Sequence, residues 1–190
     1  SENETRENII VLDESTNSQY RFGMPGTELH EKEWKQCLKA VEEIHGVEFI
    51  IASGSLPPGV PLDIYAQLAK IAKTRNAKFI VDTSGEPLKH AADEGVYLIK
   101  PNLGELSSLA GKNELQQQEI IHIAREIIAK GKCEVMVVSM GAAGAMLVTE
   151  ELAEIVTAPP VLRKSTVGAG DSMVAGIVFY LVQGKNLLQA

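Results

Sequence analysis

Short apolar runs alternate with amphipathic helical patterns along most of the chain from about residue 47 onward. The runs VEFIIAS, KFIVD, YLIK and EVMVVS are compact, and turn residues bound each of them. Strands that are covered on both faces of a sheet have this continuous apolar character. Residues 63–75 and 116–130 between the runs repeat apolar side chains at helical spacing, as do residues 31–44. This alternation predicts an α/β fold with a mainly parallel sheet flanked by helices.

Two later apolar runs, AMLV and EIVTA, flank the short segment TEELA. That layout predicts an antiparallel hairpin at one edge of the sheet. A chain of 190 residues can bury a substantial core as one domain. The sequence contains no repeat, low-complexity stretch or linker that would divide it. We therefore predict a single domain over residues 1–190.

Charge and cysteine content exclude several classes of protein. The net charge is -7 and no basic run occurs, which argues against a nucleic-acid partner. Cys37 and Cys133 have no close-spaced cysteine partner, as expected for reduced thiols in the cytoplasm. No apolar run reaches the length that spans a membrane, and the N-terminal residues lack the layout of a signal peptide. We expect a cytoplasmic protein without a membrane partner.

Polar residues stand where four of the predicted strands end. Carboxyl ends of parallel strands meet at one edge of an open α/β sheet, and binding crevices form there. One polar strand end is weak evidence for a crevice, but four polar strand ends in register favour one. The residues are Ser53, Gly54 and Ser55 after the first run, Asp82 and Ser84 after the second, Lys100, Pro101 and Asn102 after the third, and Ser139 and Gly141 after the fourth.

The segment STVGAGDSM, residues 165–173, precedes the apolar run VAGIVFYLV. That run predicts a helix that is hydrophobic on nearly every side and therefore buried. The first amide groups of a helix lack intrahelical acceptors, and the small residues in this turn would let an anion approach them. Asp171 would stand beside that anion. Taken alone, the segment is better explained as an aspartate that caps a helix after a glycine-rich turn.

Two familiar nucleotide-binding signatures are absent from the sequence. It has no G-x-x-x-x-G-K-[ST] phosphate loop, and no G-x-G-x-x-G follows a predicted strand. Their absence argues against a phosphate-loop NTPase and against a dehydrogenase that uses a dinucleotide. Any phosphate chemistry is expected to run through VGAGD.

Four blocks of sequence, in order, resemble the ribokinase-type carbohydrate kinases. They are SGSLPPGV (53–60), KPNLGEL (100–106), VSMGAAGAM (138–146) and STVGAGDSMVAG (165–176). SLPPG and the segment YRFGMPG, residues 20–26, resemble the sugar-phosphate kinases within that family. The resemblance covers essentially the whole chain and implies a ribokinase-like, Rossmann-like fold. It also implies phosphoryl transfer from ATP to a sugar phosphate, with fructose 6-phosphate favoured over fructose 1-phosphate and tagatose 6-phosphate.

The family's catalytic residues match the glycine-rich turn. Asp171 matches the catalytic base, which takes the proton from the acceptor hydroxyl. Gly168, Ala169 and Gly170 match the anion hole that stabilises charge on the transferred phosphoryl group. This division suits phosphoryl transfer, which depends mostly on positioning and charge neutralisation.

Nucleotide and metal positions follow from the second and third blocks. Asn102 and Glu105 resemble an N-x-x-E motif that holds Mg²⁺ through water, consistent with that ion's preference for oxygen ligands and retained waters. Without the other blocks, a helix cap and a solvated carboxylate would explain these two residues. The resemblance assigns ATP contacts to Lys100, Asn102, Ser139, Gly141 and Gly144.

The remaining matches concern the acceptor and a second cation. Arg6 resembles the arginine that binds the phosphate of the sugar, a role that suits its planar, bidentate donor group. Ser55 resembles a serine that contacts the substrate. Ser165 and Val167 occupy positions whose backbone carbonyls bind a monovalent cation, K⁺, in some relatives.

One departure from the family pattern opens a second hypothesis. Relatives begin with a portion that carries a Gly-Gly sugar-binding motif and a phosphate-binding lysine, and they continue past the residues that match NLLQA. The sequence therefore resembles a partial domain on the nucleotide side of a kinase. The alternative to an active sugar-phosphate kinase is a catalytically incomplete fragment that keeps the fold and binds nucleotide. Apolar surface exposed at such a boundary would favour a homo-oligomer.

Overall fold

A separate two-stranded hairpin precedes the main sheet. The computed structural model describes residues 4–16, 18–160 and 167–190. In the hairpin, strand β1 (Asn8–Asp13) pairs antiparallel with strand β2 (Ser18–Gly23). Both strands leave apolar side chains exposed, including Ile9 and Phe22. The sequence analysis did not predict this hairpin.

Six strands form the mixed central sheet. In spatial order they are β3 (Phe49–Ser53), β4 (Lys78–Asp82), β5 (Val96–Ile99), β6 (Cys133–Ser139), β7 (Ala145–Val148) and β8 (Ala153–Val156). Strands β3 to β6 run parallel, whereas β7 and β8 are antiparallel to their neighbours. The predicted α/β class, the mainly parallel sheet and the edge hairpin are all confirmed.

Helices precede, connect and follow the strands of the main sheet. They are α1 (Glu31–Glu43), α2 (Ile64–Thr74), α3 (Gly85–Glu94), α4 (Leu103–Leu109), α5 (Ile120–Ala129) and α6 (Ala169–Val182), with single 3₁₀ turns at Gln117–Glu119 and Gly141–Ala143. The three helices predicted from periodicity are present as α1, α2 and α5. The sequence analysis did not predict helices α3 and α4.

The sheet separates two hydrophobic cores. Side chains alternate between the faces of a strand, and β4 shows this directly. Phe79 and Val81 pack in the larger core with α2, α3, α4 and α5, whereas Ile80 between them packs with Val174 and Ile177 of α6. Parallel strands in consecutive order, joined by right-handed crossovers, place their connecting helices on one face. The other face is left for α6, which follows the edge hairpin.

The prediction that α6 is buried on nearly every side is wrong. Val174 and Ile177 are buried against the sheet, but Phe179 is 62% exposed and Val182 is 59% exposed. One face of a sheet covers only one side of a helix. The apolar character on the far side of α6 is therefore not explained by packing within the described residues.

No helix among the described residues has both the length and the apolar character that a bilayer crossing requires.

The two cysteines provide a chemical test of this fold. Both are free; Cys37 is exposed on α1, and Cys133 is buried at the start of β6. Burial raises the pKa of the Cys133 thiol to about 12, and the thiolate is the reactive form. A thiol reagent at pH 8 should therefore modify Cys37 faster than Cys133 by on the order of 10²-fold, because access and ionisation act together.

The variant Cys37→Ser is the control for this measurement. In the native variant only the thiol of Cys133 remains, and it should react slowly. In denaturant the same thiol should react as fast as an exposed cysteine. A fast thiol in native Cys37→Ser would contradict the buried position of β6.

Candidate active site

Four carboxyl ends of strands meet at one edge of the sheet. Ser53 at the end of β3 stands in register with Asp82 at the end of β4. Asn102, just after β5, forms an isolated parallel bridge with Ser139 at the end of β6. Ser139 also donates its backbone N–H to the carbonyl of Pro101 at 2.9 Å. The predicted crevice residues are therefore neighbours.

A buried ion pair lies at the centre of this edge. The ammonium of Lys100 is 3.2 Å from Oδ1 of Asp82, and the two side chains are only 7% and 15% exposed. Gly170, in the first turn of α6, packs directly on this pair. A Cβ added at position 170 would lie 3.2 Å from Nζ of Lys100 and 3.7 Å from Oδ2 of Asp82. The structure therefore places Lys100 beneath the glycine-rich turn.

Small residues form the start of α6. Gly168 caps the helix in the left-handed region, with φ 73° and ψ 1°. The first amide groups of a helix have no intrahelical acceptors, and the helix dipole adds roughly half a positive charge there. Ala169 and Gly170 follow without bulky side chains. A turn of this geometry can accept negative charge.

Asp171 lies in the first turn of α6, on the same edge. Its Oδ1 accepts a hydrogen bond of 3.1 Å from the hydroxyl of Ser53. Both side chains are exposed. A carboxylate in this position can accept a proton from a hydroxyl group that is bound beside the anion-accepting turn.

Asn102 and Glu105 form a reciprocal cap at the start of α4. Oδ1 of Asn102 accepts from the backbone N–H of Glu105, and Oε2 of Glu105 accepts from the backbone N–H of Asn102, both at 2.9 Å. The helix-cap interpretation is therefore correct for Asn102. The second carboxylate oxygen of Glu105 accepts no hydrogen bond from the described residues. That oxygen fits a magnesium ion held through water, because Mg²⁺ keeps several waters and needs only one or two carboxylates.

The third block forms the turn between β6 and β7. Gly141 begins the 3₁₀ turn, and the carbonyl of Gly144 accepts from the backbone N–H of Met140 at 2.8 Å. Gly144 has φ +97°, and a Cβ there would lie 2.0 Å from the carbonyl oxygen of Val156. Gly144 is therefore required by the close approach of the strand β8, independently of any nucleotide contact.

Arg6 and Ser55 line one cleft of about 210 Å³, together with Gly26, Thr27, Pro57 and Pro58. Two hydrogen bonds build it. Thr27 donates its hydroxyl to the carbonyl of Glu4 at 2.8 Å, and Leu29 donates its N–H to the carbonyl of Pro58 at 2.9 Å. The segment that carries Arg6 is thereby tied to the loop after β3, although 49 positions separate Arg6 from Ser55.

Two other features lie outside this arrangement. Val167 precedes the α6 cap and is 44% exposed, whereas Ser165 lies outside the described residues. A larger cavity of about 920 Å³ opens at the amino ends of β4, β5 and β6, lined by Lys78, Tyr97 and Cys133 among others. None of the predicted site residues lines that cavity, so its size carries no argument for catalysis.

Sequence reasoning did not give Ser53 or Asp82 a role. Both were recognised only as polar strand ends, and strand ends are commonly polar. Their partners, Asp171 and Lys100, are distant in sequence. Only their contacts distinguish these two residues from other polar strand ends.

Comparison with known proteins agrees with the geometry. A family model described as pfkB family carbohydrate kinase matches residues 1–190. The chain belongs to the pfkB family of carbohydrate kinases.

Among curated pfkB relatives, the chain is 42% identical over 184 residues to ATP-dependent 6-phosphofructokinase isozyme 2 of Escherichia coli K12. The aligned region covers 96% of the chain and 60% of the relative. It is 32% identical to 1-phosphofructokinase of Rhodobacter capsulatus, over 97% of the chain and 59% of the relative. The chain therefore spans about 60% of the length of these relatives.

Solved structures of E. coli phosphofructokinase-2 show the same fold. The complex with fructose 6-phosphate matches with a TM-score of 0.87 and 41% identity, over 95% of the chain and 59% of the relative. The complex with potassium and the tetrameric inhibited form each match with a TM-score of 0.89 and 42% identity, over 96% of the chain and 60% of the relative.

Two glycines of α6 test the packing on the buried ion pair. Gly170→Ala should destabilise the protein by about 1–3 kcal/mol, because its Cβ would press on a lysine that is held by Asp82. Gly176→Ala is the matched control in the same helix, since a Cβ there meets nothing within 4 Å. It should stabilise the protein by roughly 0.5–1 kcal/mol through helix propensity.

Urea unfolding of both variants measures these changes. The two changes in the free energy of unfolding need not be equal in size. A stabilising Gly170→Ala would show that Lys100 and α6 are farther apart than the structure has them.

Proposed function

We propose that the protein transfers the γ-phosphoryl group of ATP to a sugar phosphate, with fructose 6-phosphate as the preferred acceptor. One observation carries this proposal: the segment Ser53–Gly54–Ser55 contacts Asp171 at one end and lines the Arg6 cleft at the other. One short segment therefore contacts both the candidate base and the candidate phosphate site, beside the glycine-rich turn at the start of α6. The name of the E. coli relative supports fructose 6-phosphate as the first acceptor to test.

Each group has a role that its position supports. Arg6 binds the existing phosphate of the sugar, and Ser55 contacts the sugar. Asp171 accepts the proton of the attacking hydroxyl, while Gly168, Ala169 and Gly170 bind the transferred group through their backbone. Lys100 lies beneath that turn on the nucleotide side, with its charge compensated by Asp82. Ser139, Gly141 and Gly144 complete the nucleotide side. The barrier is lowered mainly by position and charge, as phosphoryl transfer requires.

Asn102 and Glu105 are the residues that would hold Mg²⁺, through water. The ion would neutralise the phosphates of ATP. One carboxylate oxygen of Glu105 would face the hydrated metal, while Oε2 keeps the helix cap. The cap thereby fixes the position of the proposed metal ligand. We also propose that the backbone around Ser165 and Val167 binds K⁺, in view of the potassium complex of the E. coli relative.

We further propose that the protein self-associates and works in the cytoplasm. Phe179 and Val182 on α6, and Ile9 and Phe22 on the hairpin, are exposed apolar side chains that a second copy could cover. One structure of the E. coli relative is described as tetrameric. The free thiols of Cys37 and Cys133 suit a reducing compartment.

A coupled assay of ADP release tests the proposed reaction. It compares fructose 6-phosphate, fructose 1-phosphate and tagatose 6-phosphate as acceptors, in the protein as its gene encodes it and in the 190-residue chain. Asp171→Asn should lower kcat by at least ~10²-fold with little change in ATP affinity, because general-base catalysis contributes about 10²–10⁴-fold. Asp93→Asn is the control: it breaks an ion pair between Lys132 and the exposed carboxylate of Asp93, and kcat should be unchanged.

Three outcomes separate the hypotheses. Turnover that Asp171→Asn abolishes supports the kinase, and near-normal turnover by that variant removes Asp171 from the mechanism. ATP binding by the 190-residue chain without turnover, measured by calorimetry, supports the incomplete-fragment alternative.

Glu105 provides an independent test of the metal site. Glu105→Gln should raise the Mg²⁺ concentration needed for half-maximal rate while leaving the KM for the sugar phosphate nearly unchanged. The physical reason is that glutamine keeps the helix cap but removes the charge that faces the metal. The measurement is a Mg²⁺ titration at fixed ATP.

Glu119→Gln is the matched control for this variant. Glu119 makes the same reciprocal cap, with its Oε2 accepting from the backbone N–H of Gln116 at 2.9 Å, but it lies at the start of α5 beside Lys112. Its substitution should leave the magnesium curve unchanged. Identical curves for wild type and Glu105→Gln would return Glu105 to a purely structural role.

A further inference from the structure

The hydrogen bond between Ser53 and Asp171 connects the sheet to the candidate base. The hydroxyl of Ser53 donates to Oδ1 of Asp171 at 3.1 Å across 118 sequence positions. A carboxylate rotates broadly about its last side-chain bond, so Asp171 alone, exposed in the first turn of α6, has no single orientation. A fixed donor on one oxygen selects an orientation and leaves the other oxygen to meet a hydroxyl.

Ser53 is itself held in place by its neighbour. The carbonyl of Gly54 accepts two side-chain hydrogen bonds, from the phenol of Tyr65 at 3.0 Å and from the hydroxyl of Thr83 at 2.8 Å. The backbone N–H of Gly54 donates to the carbonyl of Asp82 at 2.9 Å. We call these three hydrogen bonds the Gly54 anchor. Burial raises the pKa of Tyr65, so its phenol remains a donor at neutral pH.

The anchor is built from the core outward. Tyr65 and Thr83 are 8% and 7% exposed, whereas Ser53 and Ser55 on either side of Gly54 are exposed. Gly54 has φ +104°, a conformation that glycine adopts without strain. Two buried side chains thus fix a short exposed segment that would otherwise be a mobile loop end.

We propose that Ser53 is a positioning residue that orients the carboxylate of Asp171, and that the Gly54 anchor holds Ser53 and Ser55 in one geometry. The inference rests on the proposed function, since it assigns Ser53 to act through the candidate base. Ser53 orients the proton acceptor, and Ser55 lines the cleft for the sugar phosphate. A rigid three-residue segment therefore sets the distance between acceptor hydroxyl and base, where misplacement by about 1 Å can cost ~10²-fold in rate.

Substitutions of the two serines in this segment should affect different kinetic parameters. Ser53→Ala should lower kcat by about 10-fold and leave the KM for sugar phosphate and for ATP within about twofold, because only the orientation of the base is lost. Ser55→Ala should mainly raise the KM for the sugar phosphate. Ser53→Thr retains the hydroxyl and should restore most of kcat. A Ser53→Ala variant that changes KM alone, or a threonine variant no better than alanine, overturns the proposal.

The double variant Ser53→Ala/Asp171→Asn tests whether Ser53 acts through Asp171. If it does, the double variant should be no slower than Asp171→Asn alone, since residues that act as a unit are not additive. A further 10-fold loss in the double variant would show that Ser53 acts separately and would overturn the proposal.

Thr83→Val tests the anchor with a change that keeps the shape of the side chain. It should lower kcat and raise the KM for the sugar phosphate together, because both serines lose their support, and Thr83→Ser should reverse both effects. Loss of only one parameter, or no reversal by serine, would show that the anchor does not couple the two serines.

Thermal unfolding without substrate keeps this inference distinct from the proposed function. The drop in unfolding temperature for Ser53→Ala/Asp171→Asn should be smaller than the sum of the two single drops, as expected for two residues that share a hydrogen bond. Additive drops overturn the inference whatever the activity. Coupled drops together with full activity in Asp171→Asn would confirm the hydrogen bond, overturn the role of Ser53 in positioning a base, and reject Asp171 as that base.

Discussion

The Lys100–Asp82 ion pair lies between the sheet and the first turn of α6, and both side chains are almost removed from water. Loss of either partner would leave a buried charge uncompensated, at a cost of about 3–5 kcal/mol. The helix can approach the pair only because residue 170 has no Cβ. Three segments far apart in sequence, ending β4, following β5 and beginning α6, are therefore constrained by a single contact. The anion-accepting turn is held above the strand ends by the same contact.

Several residues of the site are needed both by the fold and by the proposed chemistry. Asn102 and Glu105 cap α4 through reciprocal hydrogen bonds, and the same carboxylate has a second oxygen for a hydrated metal. Gly144 is required by the approach of Val156 and also stands in the turn that we propose faces the nucleotide. For Glu105 a structural role and the proposed ligand role are compatible, because different oxygens of the carboxylate would perform them. The cap also limits the side-chain freedom that would oppose metal binding.

The proposed anionic substrates are compatible with a chain whose net charge is -7. The positive potential that they need is local: it comes from the amide groups and dipole at the start of α6 and from the guanidinium of Arg6 in the cleft. The ammonium of Lys100 is compensated by Asp82. Local donors in a partly desolvated crevice act more strongly than distant surface charges, which solvent and salt screen. The arrangement therefore depends on geometry at one edge of the sheet, and the overall charge of the protein has little influence on it.

The sequence by itself determined the α/β class, the parallel strands, the edge hairpin and the family, because burial on both sheet faces and the order of short motifs are local properties of the chain. It also located the strand ends where Asp82, Lys100 and Ser139 stand. Tertiary structure decided which groups meet. Lys100 contacts Asp82 and Ser53 contacts Asp171, whereas Arg6 and Ser55 line the same cleft. It also decided that α6 is exposed on one side, since helical hydrophobicity does not reveal how many neighbours cover a helix. Contacts across 18 to 118 positions depend on the packing of whole elements, and spacing along the chain does not encode them.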